Sequence, residues 1–216
     1  MELKGKKVCF LGDSITEGHG TSGKEYTFWS LIGKRTGAEV FGYGIGGSRI
    51  APQRDQNSDH LNDDFVRRAD TMIPDADVIV IFGGTNDYGH GDAPFGWMSD
   101  REPDTFYGAL HTLCRKLMTR YPGAVIVFMT PLHRLEEERL INERGVRNVA
   151  TLDEYADAIR EVAGYYGCPV ADTRVISGIQ PAVEANCARF IPDGLHPNDA
   201  GHILLADRLQ AFLEAL

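Results

Sequence analysis

Two rhythms of apolar and polar positions run along the chain. One is a set of short, mostly apolar runs: residues 7–11 (Val-Cys-Phe-Leu after a lysine), 38–43, 76–82 (ending Val-Ile-Val-Ile-Phe), 124–129 and 169–171. Their length and β-branched content suit strands covered on both faces. The other rhythm has helical spacing. Residues 28–35, 61–70, 105–121 and 151–166 read as helices, with Leu61, Phe65 and Val66 on one side of the second and Phe106, Leu110, Leu113 and Leu117 on one side of the third. A last helix follows Asn198 or Asp199 as cap, with Leu205, Leu209, Phe212 and Leu216 on one face. Strand–helix alternation predicts a parallel sheet between helix layers. Active sites in such sheets lie beyond the carboxyl ends of the strands.

Composition narrows the class without changing this picture. The 216 residues suit one domain over positions 1–216, and no internal repeat or low-complexity tract divides them. The apolar fraction is 43% and the charged fraction 25%, ordinary for a folded globular chain. The net charge of −9 repels a phosphate backbone, which argues against nucleic acid as a partner. No segment approaches the length of a membrane span, and the apolar run after Lys7 is too short for a signal peptide, so a cytoplasmic location is expected. Cys9, Cys114, Cys168 and Cys187 form no CxxC pair, and the seven histidines show no HExxH or comparable spacing. Neither a disulfide framework, a metal nor another cofactor is expected.

Polar clusters follow the apolar runs, as the sheet rule requires. After the first run comes Gly12-Asp13-Ser14-Ile15-Thr16; after the second, Gly44-Ile45-Gly46-Gly47-Ser48; after the third, Gly83-Gly84-Thr85-Asn86-Asp87. Asp193-Gly194-Leu195-His196-Pro197 precedes the last helix. Asp193 stands three residues before His196, so one turn of chain can let the carboxylate orient the imidazole and leave its other nitrogen as a base. A surface turn capping the helix is the bland alternative. A serine hydroxyl needs such a base to become a nucleophile. Ser14 also fits a helix cap, since Ser14-Ile15-Thr16-Glu17 has the capping-box pattern. Gly47, in a glycine-rich loop, can bring a backbone N–H close to a ligand, and Asn86 can donate from its amide. Ordinary turn roles compete for both. Asp13 and Asp87 read better as local caps and turn residues than as supports for Ser14 and Asn86.

Together the four clusters resemble the blocks of the SGNH hydrolases, the GDSL esterase/lipase family. The resemblance spans almost the whole chain. It implies a three-layer α/β/α sandwich with a five-stranded parallel, flavodoxin-like sheet. It further implies Ser14 as nucleophile, Asp193 and His196 as catalytic partners, and an oxyanion hole of Ser14, Gly47 and Asn86. Gly46 rivals Gly47 for that role, and Gly42 stands where the family's second block often opens with Asn. The implied reaction is hydrolysis of a small-molecule carboxylic ester through an acyl-enzyme. Short acyl chains are favoured, such as acetyl groups on a carbohydrate, over lipase, lysophospholipase or thioesterase substrates.

Two inserts are expected at the rim, residues 89–104 and 131–148. Trp97 in the first could stack on a sugar, line an acyl pocket or anchor its own loop; the charge run 136–139 in the second reads as a solvated helix face. Two rivals remain from other classes. One is a degenerate module that binds a carbohydrate or acyl ligand without turnover. The other is a flavodoxin-like flavin or nucleotide binder, although Asp13 and Glu17 would repel phosphate there.

Overall fold

The computed structural model describes residues 1–141, 145 and 150–216. Five parallel strands form one sheet: β1 (Lys7–Gly12), β2 (Glu39–Gly44), β3 (Val78–Phe82), β4 (Val125–Met129) and β5 (Val170–Ala171), in the order β2-β1-β3-β4-β5. Because side chains alternate along a strand, each apolar run feeds two cores. Cys9, Leu11, Ile79, Ile81, Ile126 and Phe128 face one side, where they meet α3 (Phe65–Arg68), α5 (Phe106–Arg120) and α6 (Leu152–Tyr165). Val8, Phe10, Val78, Val80, Phe82 and Val127 face the other, against α2 (Phe28–Thr36) and α9 (Asp199–Ala215). The result is the expected three-layer α/β/α sandwich.

Register positions the loops. Gly12 lies beside Gly44 on one neighbour and Phe82 on the other, so the segments after β1, β2 and β3 leave the sheet at one level. Strand order also reverses between β1 and β3, which opens a crevice at the strand ends.

Helix boundaries differ from the sequence reading in instructive places. The helix expected at 61–70 begins only at Phe65, because Asp64 caps it by accepting the Arg67 N–H at 2.9 Å. Asn198, not Asp199, caps α9. The buried stripe of α9 runs Leu205, Ala206, Leu209 and Leu213, while Leu216 is exposed and Phe212 only partly buried. Among the described residues four further short helices carry too little periodicity to be read from sequence, although the capping-box pattern marks the start of the first: α1 (Ser14–Glu17), α4 (Thr85–His90), α7 (Thr173–Ile176) and α8 (Glu184–Phe190).

The two inserts also differ from expectation. Phe95 stacks on Phe106 and meets Tyr155 edge-on, anchoring the first insert, while the Trp97 side chain is 77% exposed. Residues 136–139 form a turn rather than a helix face. Within that turn Glu137 points inward to His133 and to the buried Arg174, while Glu136 pairs with Arg139 at the surface. The rest of the second insert, 142–144 and 146–148, lies outside the described residues. All four cysteines are free thiols; Cys9, Cys114 and Cys168 are buried.

Candidate active site

The loop after β1 turns directly into a helix. Asp13 is its cap: its Oδ1 accepts the Ile15 N–H at 3.0 Å. Ser14 is therefore the first helical residue and not the cap, and Glu17 does not close a capping box. This leaves Ser14 Oγ uncommitted to the backbone, and it lies 3.0 Å from His196 Nε2. The Ser14 N–H sits in the first helical turn, where amides lack an intrahelical carbonyl.

Asp193 and His196 occupy the loop between α8 and α9. His196 Nδ1 lies 2.7 Å from Asp193 Oδ2. Asp193 Oδ1 accepts the N–H groups of Leu195 at 2.8 Å and His196 at 2.6 Å, so one carboxylate shapes the loop and orients the ring. Partial burial works to raise the Asp193 pKa. The hydrogen bonds from His196 and Leu195 outweigh it and hold the carboxyl below its ordinary range. Gly194 has φ +77, and a Cβ there would lie 2.4 Å from the Leu135 side chain, so this turn requires glycine.

The second and third clusters are bolted to each other. Asp87 accepts the N–H groups of Ile50 and Ala51, both at 2.9 Å, and Asn86 Nδ2 donates to the Ser48 carbonyl at 2.9 Å. Asp87 is thus not a local turn residue: it reaches across to hold the loop that carries Gly47. Burial pushes its carboxyl up to about 6, against the opposing pull of those two N–H bonds and of Arg49. Burial likewise pushes the cap Asp13 up to about 7.

Glu17 separates the two rival glycines. Its Oε2 accepts the Gly46 N–H at 2.7 Å. Among the described residues the Gly47 N–H has no partner. Gly47 has φ +74 and lies under the ring of His60, whose own φ is +64. Ser14, Gly46, Gly47, Asn86 and His196 all border one open cleft of about 670 Å³. The structure therefore brings together every site residue expected from sequence.

Several cleft or supporting residues carried no readable signal. His19 lies beside His196, with ring centroids 4.6 Å apart. Arg134 enters from the β4 loop, within 3.5 Å of Thr85. Arg68 is buried and donates to the Gly12 carbonyl at 3.1 and 3.0 Å, to Ser48 Oγ at 2.8 Å and to the Tyr43 carbonyl, tying the ends of β1 and β2. His90 was findable in principle: it stands four residues after Asn86 and would share its face once 85–90 is read as helix. Among the described residues no group of three or more His, Cys, Asp or Glu could hold a metal ion, and no helix is long and apolar enough to cross a membrane.

Known proteins resemble this chain over most of its length. The model of the GDSL-like lipase/acylhydrolase family matches residues 10–204. A GDSL lipase of Mycobacterium tuberculosis is 27% identical over 94% of this chain and 79% of its own. A solved protein from Lactobacillus plantarum is 32% identical over 98% of both chains, with a TM-score of 0.82. A Bacteroides ovatus protein assigned to the GDSL-like lipases shares the fold at a TM-score of 0.66, with 19% identity over 99% of this chain and 100% of its own. The chain belongs to the GDSL-like lipase/acylhydrolase family and is a carboxylic ester hydrolase.

Proposed function

We propose that this protein hydrolyses short acyl esters of a polar alcohol, an acetylated carbohydrate being the leading candidate, through an acyl-enzyme on Ser14. The observation that carries the reading is the hydrogen-bonded chain Ser14–His196–Asp193, at 3.0 and 2.7 Å, bordering the cleft that Gly47 and Asn86 also line. Ser14 Oγ attacks the ester carbonyl carbon while His196 Nε2 takes its proton. Asp193 holds the imidazole in the tautomer this needs. The carbonyl electrons move onto oxygen, which receives hydrogen bonds from the Ser14 N–H, the Gly47 N–H and the Asn86 amide. Collapse of this intermediate expels the alcohol, which takes the proton from His196. Water, deprotonated by His196, then attacks the acyl-enzyme, and its collapse returns the proton to Ser14 and releases the acid.

The lining supports a small acyl group. Glu17, His19, His60, His90 and Arg134 give the cleft a polar wall, with Ile45 and Leu195 as its aliphatic members. A long acyl chain would take those polar groups out of water, at a cost. The site also draws on positions 14 to 196, so we take residues 1–216 to work as one domain.

Nitrophenyl acetate, butyrate and octanoate, compared between the wild type and Ser14→Ala, test the proposal. Nitrophenol release from the wild type should fall from acetate to octanoate and vanish in the variant. Fastest turnover of octanoate would favour a lipase. Failure of a fluorophosphonate to label Ser14 would favour a binding module.

A further inference from the structure

Behind Asn86 lies a row of polar groups that the ester mechanism leaves unexplained. His90 Nε2 is 3.0 Å from Asn86 Oδ1, and Arg49 donates to the other ring nitrogen, Nδ1, through a terminal guanidinium nitrogen. Arg49 is 3% exposed, a cationic side chain almost wholly removed from water. Further contacts hold its head in place: one guanidinium nitrogen donates to the Asp59 carbonyl at 3.2 Å and the other to the His90 carbonyl at 3.3 Å.

The donor inventory fixes the proton on each atom in this row. A guanidinium has donors only and does not deprotonate in proteins. The nitrogen facing it, His90 Nδ1, must accept. The ring is then neutral, with its proton on Nε2, and Nε2 donates to Asn86. The atom of Asn86 that receives it must be the carbonyl oxygen. The amide nitrogen is thereby turned the other way, where one N–H reaches the Ser48 carbonyl at 2.9 Å and the second is left for the cleft that Asn86 borders.

We infer that Arg49 and His90 form a donor relay that orients and polarises the Asn86 amide, making His90 a positioning residue for the oxyanion. The inference rests on the reading of Asn86 as an oxyanion donor. Each bond in the row runs in the same sense, from the cation towards the place where negative charge develops. Hydrogen bonds in such a row strengthen one another, and more so out of water. The row also blocks the alternative amide orientation, which would set the Asn86 carbonyl against that of Ser48. The sequence supplies the geometry cheaply: His90 lies one helical turn after Asn86 on α4, and Arg49 follows Ser48 directly in the loop that Asp87 holds.

Two measurements decide it. The first is a double-mutant cycle on the acetate ester, with melting temperatures as a check on folding. His90→Leu should lower kcat about tenfold, less than the hundredfold or more that loss of a whole oxyanion donor costs, and leave KM unchanged. His90→Gln, whose amide can donate from the place of Nε2, should recover most of that loss. In an Asn86→Ala background His90→Leu should change kcat less than about twofold, because the relay has nothing left to act on. Additive losses, or a rise in KM at constant kcat, would overturn the relay. The second is nitrogen NMR of imidazole-labelled wild-type protein at neutral pH, with His90→Gln identifying the resonance. A neutral ring protonated on Nε2 is expected; an imidazolium or an Nδ1–H ring would overturn the relay. This readout needs no turnover. If Ser14→Ala left ester hydrolysis intact, the proposed function would fall while the tautomer still decided the relay.

Discussion

Asn86 does two jobs with one amide. One N–H binds the Ser48 carbonyl and so locks the loop carrying Gly47; the proposed mechanism gives the other to the oxyanion. Removing a preorganised donor from an oxyanion site costs roughly 3 kcal/mol of transition-state stabilisation. Asn86→Ala should therefore cut kcat about a hundredfold or more in steady-state assays, with a smaller effect on KM. Asp193→Ala should be less damaging than Ser14→Ala, because the base survives when its orienting partner is lost. The residue types in the four clusters and their order were legible in the sequence. Which atom of each was free was not. Ser14 fits the sequence pattern of a helix cap, yet Asp13 takes that role one residue earlier. Gly46 and Gly47 are equivalent on the page, and only Glu17, which lies 29 positions before Gly46, distinguishes them.

At the level of elements, packing across layers sets both stability and its pH dependence. His202 on α9 is fully buried, accepts the Phe28 N–H at 3.1 Å at the start of α2, and stacks on the Phe28 ring. Burial lowers its pKa from 6.5 to about 4, with Asp199 opposing. Between those values the unfolded chain binds a proton that the native ring does not. The contribution of His202 is therefore fully present above pH 6.5 and is lost as the pH falls towards about 4. His202→Leu should be less stable at neutral pH, for want of an acceptor at Phe28. It should also lose less stability on acidification than the wild type, which urea midpoints at the two ends of that range would show. A variant with the wild-type acid sensitivity would contradict this. The long helices α5 and α6 were legible because a buried stripe repeats at helical spacing over more than three turns. Helix α4 was not, because six residues within a glycine- and asparagine-rich motif read as a turn. Helix α8 was not either, since none of its residues is fully buried and it has no stripe to read.

Across the whole molecule, the site exists because the sheet brings its parts to one edge. Arg68 secures that edge by binding carbonyls at the ends of β1 and β2 and the Ser48 hydroxyl. Arg68→Met would strip those carbonyls of their charged donor, leaving Gly12 with the Ile45 N–H at 3.2 Å, and would remove a cation that favours the ionised Asp13 carboxyl. It should cost about 3 kcal/mol or more in urea unfolding and lower kcat as well, since Ser14 and Gly47 both lie just beyond the groups it holds. Unchanged stability would show that water replaces the guanidinium there.

The sequence by itself determined the α/β class, the parallel sheet, the two cores and the four clusters. Periodicity and strand-end chemistry are local properties, written in neighbouring residues. The tertiary structure alone decided the strand order that sets β1 between β2 and β3, the reach of Asp87 to Ile50 and Ala51, and the burial of Arg49 and Arg68. These are pairings between residues far apart in the chain. A lone charged residue carries no mark of its distant partner, and only the closed fold shows which polar groups must find one another once water is gone.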